Sequence, residues 1–182
     1  MSIFKTALTF SAAAYIVSLG LSSIVVSSDD ADAEDFVYSP DLAVALGRAN
    51  VPIYWSSGHQ EAQKICDDKG FTGFTTDEKL GELGDGNSPY IVVCDEVVKN
   101  VDMFLSLIRH EAVHVAQYCY AANGFVPLGL KQEDISDHAR RMATTKYYPK
   151  EDIPIELEAY TIEQWSEDRV SRLVDDHCNN QR

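Results

Sequence analysis

Met103-Phe104-Leu105-Ser106-Leu107-Ile108-Arg109-His110-Glu111-Ala112-Val113-His114-Val115-Ala116-Gln117 decides how this chain must fold. The run is apolar nearly all round, so a helix made of it belongs at the centre of a fold and not on its rim. The pattern extends from about 100 to about 122, with Gly124 as a natural stop. A central helix needs cover on several sides, and the rest of the chain can supply it. Residues 51–55, 71–75 and 90–94 are short, apolar and rich in β-branched or aromatic types, which predicts three strands. Pro52 confines the first of them to an edge or a strand start. The unbroken Tyr90-Ile91-Val92-Val93-Cys94 predicts a strand buried on both faces.

Ser39-Pro40-Asp41 reads as a helix start, with a cap, a proline at the first helical position and an acid facing the dipole. A second helix is expected over 59–68, stopping at Gly70, and an acidic, glycine-bearing loop over 76–88. Beyond the central helix, 131–147 predicts a polar helix. One last helix is expected from about 152 to 177, with Ile155, Ala159, Ile162, Val170 and Leu173 along one side. The expected class is α+β, a small sheet packed on the central helix with the C-terminal helix beside it.

His110-Glu111-Ala112-Val113-His114 has the form His-Glu-x-x-His. Side chains four apart on a helix lie on one face, about 6 Å along the axis. Two imidazoles so placed can reach one zinc ion at about 2.0–2.1 Å each. The intervening Glu111 points aside, where it can take the proton of a water that the metal acidifies. An ordinary core helix would have to bury all three polar side chains without compensation, which is costly. A metal ion removes that difficulty.

A catalytic zinc site needs a third protein ligand from elsewhere. Tyr120 stands six residues past His114, where the longer metzincin pattern has its third histidine, and His138 lies too far on to fill that place. The better candidates are the acids of Glu156-Leu157-Glu158-Ala159-Tyr160, just after Pro154. At 100° per residue, Glu156 and Glu158 flank the apolar stripe almost symmetrically, and helical geometry alone leaves both open.

These two segments resemble the gluzincin metallopeptidases, which pair His-Glu-x-x-His with a later helix carrying Glu-x-x-Ala or Glu-x-x-Ser. In that register the motif here is Glu156-Leu157-Glu158-Ala159. The resemblance implies zinc held by His110, His114 and Glu156, Glu111 as general base, and a peptide or protein substrate. The aspartate that often follows in that family, orienting a ligand histidine, is Tyr160 here, so the outer contacts should be different or incomplete. In similar enzymes an edge strand holds extended substrate by β-pairing, and 90–94 is the strand before the zinc-type helix. Tyr147, Tyr148 and Tyr160 are candidates for stabilising an oxyanion. Arg109 is expected to be an ion-pair partner, and His59, His138 and His177 to be surface or structural residues. The resemblance covers only the two helices and the strand before them; residues 34–88 match no motif.

The N-terminus reads as an address. Lys5 precedes an uncharged run from Thr6 to Ser28, and Ala31-Asp32-Ala33 has the small-x-small form of a signal-peptidase site. The expected division is a cleaved signal over 1–33 and one domain over 34–182. An uncleaved membrane anchor is the alternative, since the run is long enough to span a bilayer. A secreted or periplasmic destination suits the four cysteines, for which Cys66–Cys94 and Cys119–Cys178 are the favoured bridges. Without 1–33 the chain keeps 14 basic and 26 acidic side chains, a net charge of −12. Such a surface repels phosphate backbones and anionic membranes, so nucleic acid is excluded as an expected partner. The competing function is a non-catalytic secreted interaction module with structural zinc or none. The intact Glu111 argues against it, because a structural site has no use for that acid.

Overall fold

The structure, a computed structural model, describes residues 40–121, 124–145 and 148–179; the expected signal at 1–33, Ser39 and Tyr147 lie outside them. Its elements are α1 (Pro40–Arg48), β1 (Ile53–Trp55), α2 (Gln60–Lys69), β2 (Gly73–Thr76), β3 (Tyr90–Val93), α3 (Val101–Ala121), α4 (Asp137–Thr145), α5 (Ile153–Ile162) and α6 (Glu167–Val174). A π-helical turn, Asp175–Asn179, closes the series. The class is α+β, with six helices and one mixed sheet of three strands among the described residues.

The strand order is β1-β3-β2, with β1 parallel and β2 antiparallel to β3. All four residues of β3 are buried, as its unbroken apolar run predicts. Being central, as its unbroken apolar run hints, β3 cannot offer an edge to a substrate. The two edges are β1, entered through Pro52, and β2.

Side chains alternate across the sheet. Ile53, Trp55, Ile91 and Val93 join the main core with α1, α3, α5 and α6, while Tyr54, Phe74, Tyr90 and Val92 pack with Ala62 and Cys66 of α2 on the other face. Gly73 lets α3 come close to β2. A Cβ there would stand 2.6 Å from the Val92 carbonyl oxygen and 2.8 Å from Leu107 Cδ1. On the opposite face, α2 ends at Gly70 in the left-handed conformation, donating its N–H to the Cys66 carbonyl.

α3 is the centre of the molecule, and every residue from His110 to Tyr118 is buried. Both favoured disulfides are present. Cys66–Cys94 ties α2 to the end of β3, and Cys119–Cys178 ties the last turn of α3 to the π-helical turn. No described helix is long and apolar enough to cross a membrane.

Two expectations need correction. The single helix over 152–177 is broken after Ile162, where Trp165 N–H turns back to the Ile162 carbonyl and Ser166, in extended conformation, starts α6. Ser166-Glu167-Asp168 is itself a helix-start signal, a small polar residue followed by acids in the first turn. The helix expected over 131–147 covers only Asp137–Thr145. Its start is set by Ser136, whose Oγ accepts the Ala139 N–H at 3.0 Å.

Candidate metal centre

His110 and His114 project from the middle of α3 toward the first turn of α5, where Glu156 stands. His110 Nε2 and His114 Nε2 are 3.2 Å apart. Glu156 Oε2 lies 3.4 Å from His110 Nε2, and Glu156 Oε1 lies 3.6 Å from His114 Nε2. Donors held at about 2.0–2.1 Å around one tetrahedral zinc stand about 3.3 Å from one another. The observed separations therefore fit a metal ion, and these three side chains can hold one between them. Glu156 Oε2 is buried and receives no hydrogen bond from the described residues. A buried carboxylate oxygen that receives no hydrogen bond is costly unless a cation meets it.

The outer contacts prepare both imidazoles for that role. His114 Nδ1 donates to Gln117 Oε1 at 2.8 Å, and Gln117 Nε2 in turn donates to the Ile155 carbonyl and to Glu158 Oε2. His110 Nδ1 donates to Glu163 Oε2, also at 2.8 Å. With each Nδ1 so occupied, each Nε2 can keep its lone pair for the centre. The position expected to orient a histidine, Tyr160, instead packs at a tilt against the His110 ring, 4.4 Å between centroids, and pairs its hydroxyl with Tyr148 at 2.9 Å. The outer contacts are thus different and complete. Glu163 was missed by sequence reasoning, and its one available signal was its spacing, two helical turns past Glu156.

The two acids differ in what else each one does, and only Glu156 joins the histidines. Glu158 accepts the backbone N–H groups of Leu128, Gly129 and Leu130 at 2.5–2.7 Å. It anchors the loop after α3 and has no place in the cluster. Glu111 is only 3% exposed and also stands outside the cluster, its Oε2 accepting the Thr75 hydroxyl of β2 at 2.8 Å. Arg109 is an ion-pair partner, as expected: it reaches Glu167 at 3.5 Å and donates to the Glu163 carbonyl. His59 and His177 make ring contacts with Tyr54 and Tyr120, away from the cluster.

No family model, curated protein or solved structure matches this chain.

The electrostatics follow from packing. Burial alone would push the His110 imidazole down, but contact with Glu156 and Glu163 and the nearby charge of Glu111 outweigh it and hold it well above its usual range. Burial would raise Glu156, yet the two histidines hold its carboxyl below the ordinary carboxylate value. The Tyr148 hydroxyl is pushed far up by burial, then by the Glu156 charge and its bond to Tyr160, so it stays protonated and remains a donor beside the centre. The cluster is therefore a concentrated negative site that already favours a positive charge between its members.

Proposed function

We propose that this chain is an exported zinc-dependent hydrolase that cleaves peptide bonds, a metallopeptidase of gluzincin type. One observation carries the reading: two imidazole nitrogens and a buried carboxylate, one of whose oxygens receives no hydrogen bond from the described residues, converge at tetrahedral spacing, while the glutamate between the histidines stands outside the cluster. A structural metal site explains the first half of that arrangement but gives Glu111 nothing to do.

His110, His114 and Glu156 are the zinc ligands. Bound zinc would supply Lewis acidity, polarising a substrate carbonyl and bringing water closer to ionisation. Glu111 is the general base. Its carboxylate takes a proton from the attacking water and returns it to the leaving amine. Thr75 holds that carboxylate in place from β2. Because Thr72 and Cys94 are hydrogen-bonded partners, the alternation leaves the main-chain groups of Gly73 and Thr75 on the outer side of β2, where an extended peptide can pair. Tyr148, kept protonated beside Glu156, has a hydroxyl able to donate to an oxyanion. The two disulfides support an oxidising destination, secreted or periplasmic.

The test is metal content followed by hydrolysis of a peptide library, wild type beside Glu111→Gln. About one zinc per chain is expected in both proteins, with cleavage only in the wild type and a loss of at least about a hundredfold in the variant. Well-folded wild type that takes up no zinc would sink the reading and leave the interaction module. Zinc without cleavage, or cleavage that survives Glu111→Gln, would remove the catalytic part.

A further inference from the structure

The two histidines of the cluster are supported unequally. His114 leans on a neutral amide, Gln117 Oε1, from its own helix. His110 leans on a carboxylate, Glu163 Oε2, delivered from beyond the end of α5. Glu163 is 9% exposed, and its other oxygen, Oε1, lies 3.3 Å from Nε2 of His138 at the start of α4. The carboxylate is thus gripped between an inner and an outer imidazole. Tyr160 walls the arrangement, with its ring 4.4 Å from that of His110 and 6.1 Å from that of His138.

Every other feature nearby holds this chain of three still. Glu163 N–H bonds the Ala159 carbonyl, which keeps it helical past the end of α5. Arg109 of α3 donates to its main-chain oxygen at 2.9 Å. The start of α4 is pinned to α5, since Ser136 N–H bonds Thr161 Oγ1 and Gln164 Nε2 reaches Ser136 Oγ. Glu156 and Glu163 are seven residues apart, two helical turns, so one face of one helix presents both carboxylates to α3.

Building on the zinc-site reading above, we propose that Glu163 is the positioning residue of the metal centre, fixing His110 as the stronger of the two nitrogen donors, and that His138 is the clasp that holds Glu163 in place. The two Nδ1 bonds have the same 2.8 Å length, but the charge-assisted one to Glu163 is the stronger. It fixes the ring orientation and tautomer and makes Nε2 more basic toward a metal. The role that an aspartate one turn past the ligand would play is filled here from two turns away, because Tyr160 occupies the nearer place.

The test uses the purified protein, wild type beside Glu163→Ala, Glu163→Gln and His138→Ala. Zinc affinity is measured by competition with a chromophoric chelator. The His110 Nδ1 proton is followed by nitrogen-edited NMR of the zinc-loaded protein, a signal that a merely structural role would not move. Glu163→Ala is expected to bind zinc about 10- to 100-fold more weakly. Glu163→Gln, which keeps an acceptor but loses the charge, should fall between that variant and wild type, with the Nδ1 proton moved upfield. His138→Ala should leave the resonance in place but speed its exchange with solvent, with a smaller loss of affinity. Should Glu163→Ala fail to fold, Glu163→Gln decides: wild-type affinity and an unmoved Nδ1 proton would overturn the proposal while leaving the zinc site standing. Wild type that binds no zinc would overturn both.

Discussion

At the scale of single residues, this molecule separates two acids that a helical wheel cannot. Glu156 and Glu158 share a helix and a charge, but one has an unpartnered buried oxygen and the other accepts three backbone N–H groups. Their variants should therefore fail in different ways. Glu156→Ala is expected to abolish tight metal binding while costing the metal-free protein less than Glu158→Ala does, about 1–2 kcal/mol, since only its contacts with the two histidines and Tyr148 are lost. Glu158→Ala should cost about 3 kcal/mol or more, because it leaves three N–H groups without their acceptor and removes one of the two acceptors of Gln117 Nε2. Metal content and chemical denaturation of both variants check the pair. A Glu158→Ala protein that is fully stable but metal-free would reverse the assignment. The sequence left these acids symmetric because the deciding partners, residues 128–130, lie in a loop whose path no local pattern encodes. Glu163 was hidden for the same reason, as its partners His110 and His138 come from two other helices. His110, Glu111 and His114, by contrast, were legible because their relation is internal to one helix.

The elements tell a parallel story. α3 was readable from end to end, since a run apolar on all sides has only one place to go, and β3 was readable for the same reason. The break between α5 and α6 was not, because Val170 and Leu173 continue the apolar stripe across it and mask the start signal at Ser166. At the sheet, β1 and β3 are joined beyond their last residues by Asp95, which accepts the buried Ser56 hydroxyl at 2.5 Å and the Ser57 N–H at 3.0 Å. Burial would raise this carboxyl, but the hydrogen bonds from Ser56 and Ser57 outweigh it and hold it below the usual value. A carboxyl depressed in the folded state stabilises the fold above its unfolded pKa of about 3.9, and that contribution fades as pH falls through the lower folded value. Asp95→Asn should accordingly be less stable than wild type at neutral pH, by about 1–3 kcal/mol. The two proteins should converge as the pH drops below about 4. Urea titrations at several pH values would show it, and a gap that persists into strong acid would mean that the clasp does not depend on the charge.

For the whole molecule, the question is what keeps Glu156 opposite two histidines more than forty residues earlier in the chain. The Cys119–Cys178 bridge answers it, because its loop, with a sequence separation of 59, contains His138, Glu156, Glu158 and Glu163, and it closes onto α3 five residues past His114. The bridge thus holds every α4 and α5 contributor to the centre in reach of the helix that carries the histidines. Cys66–Cys94, with a separation of 28, closes its loop on the opposite face of the sheet and encloses none of them. Loop-closure entropy assigns about 4 kcal/mol to the longer bridge and about 3.5 kcal/mol to the shorter, a large share of the 5–15 kcal/mol typical of a domain. Replacing either pair by serines should therefore lower the denaturation midpoint by a similar amount. Their effects on metal should diverge. Cys119→Ser with Cys178→Ser is expected to weaken zinc binding, because the donors on α3 and α5 no longer share a covalent frame, whereas Cys66→Ser with Cys94→Ser should leave the affinity near that of wild type under conditions where both are folded. Chelator competition alongside denaturant unfolding separates the two quantities. Weakened zinc binding in the Cys66/Cys94 variant alone would place the control of the centre on the sheet and not on the loop that carries its acids.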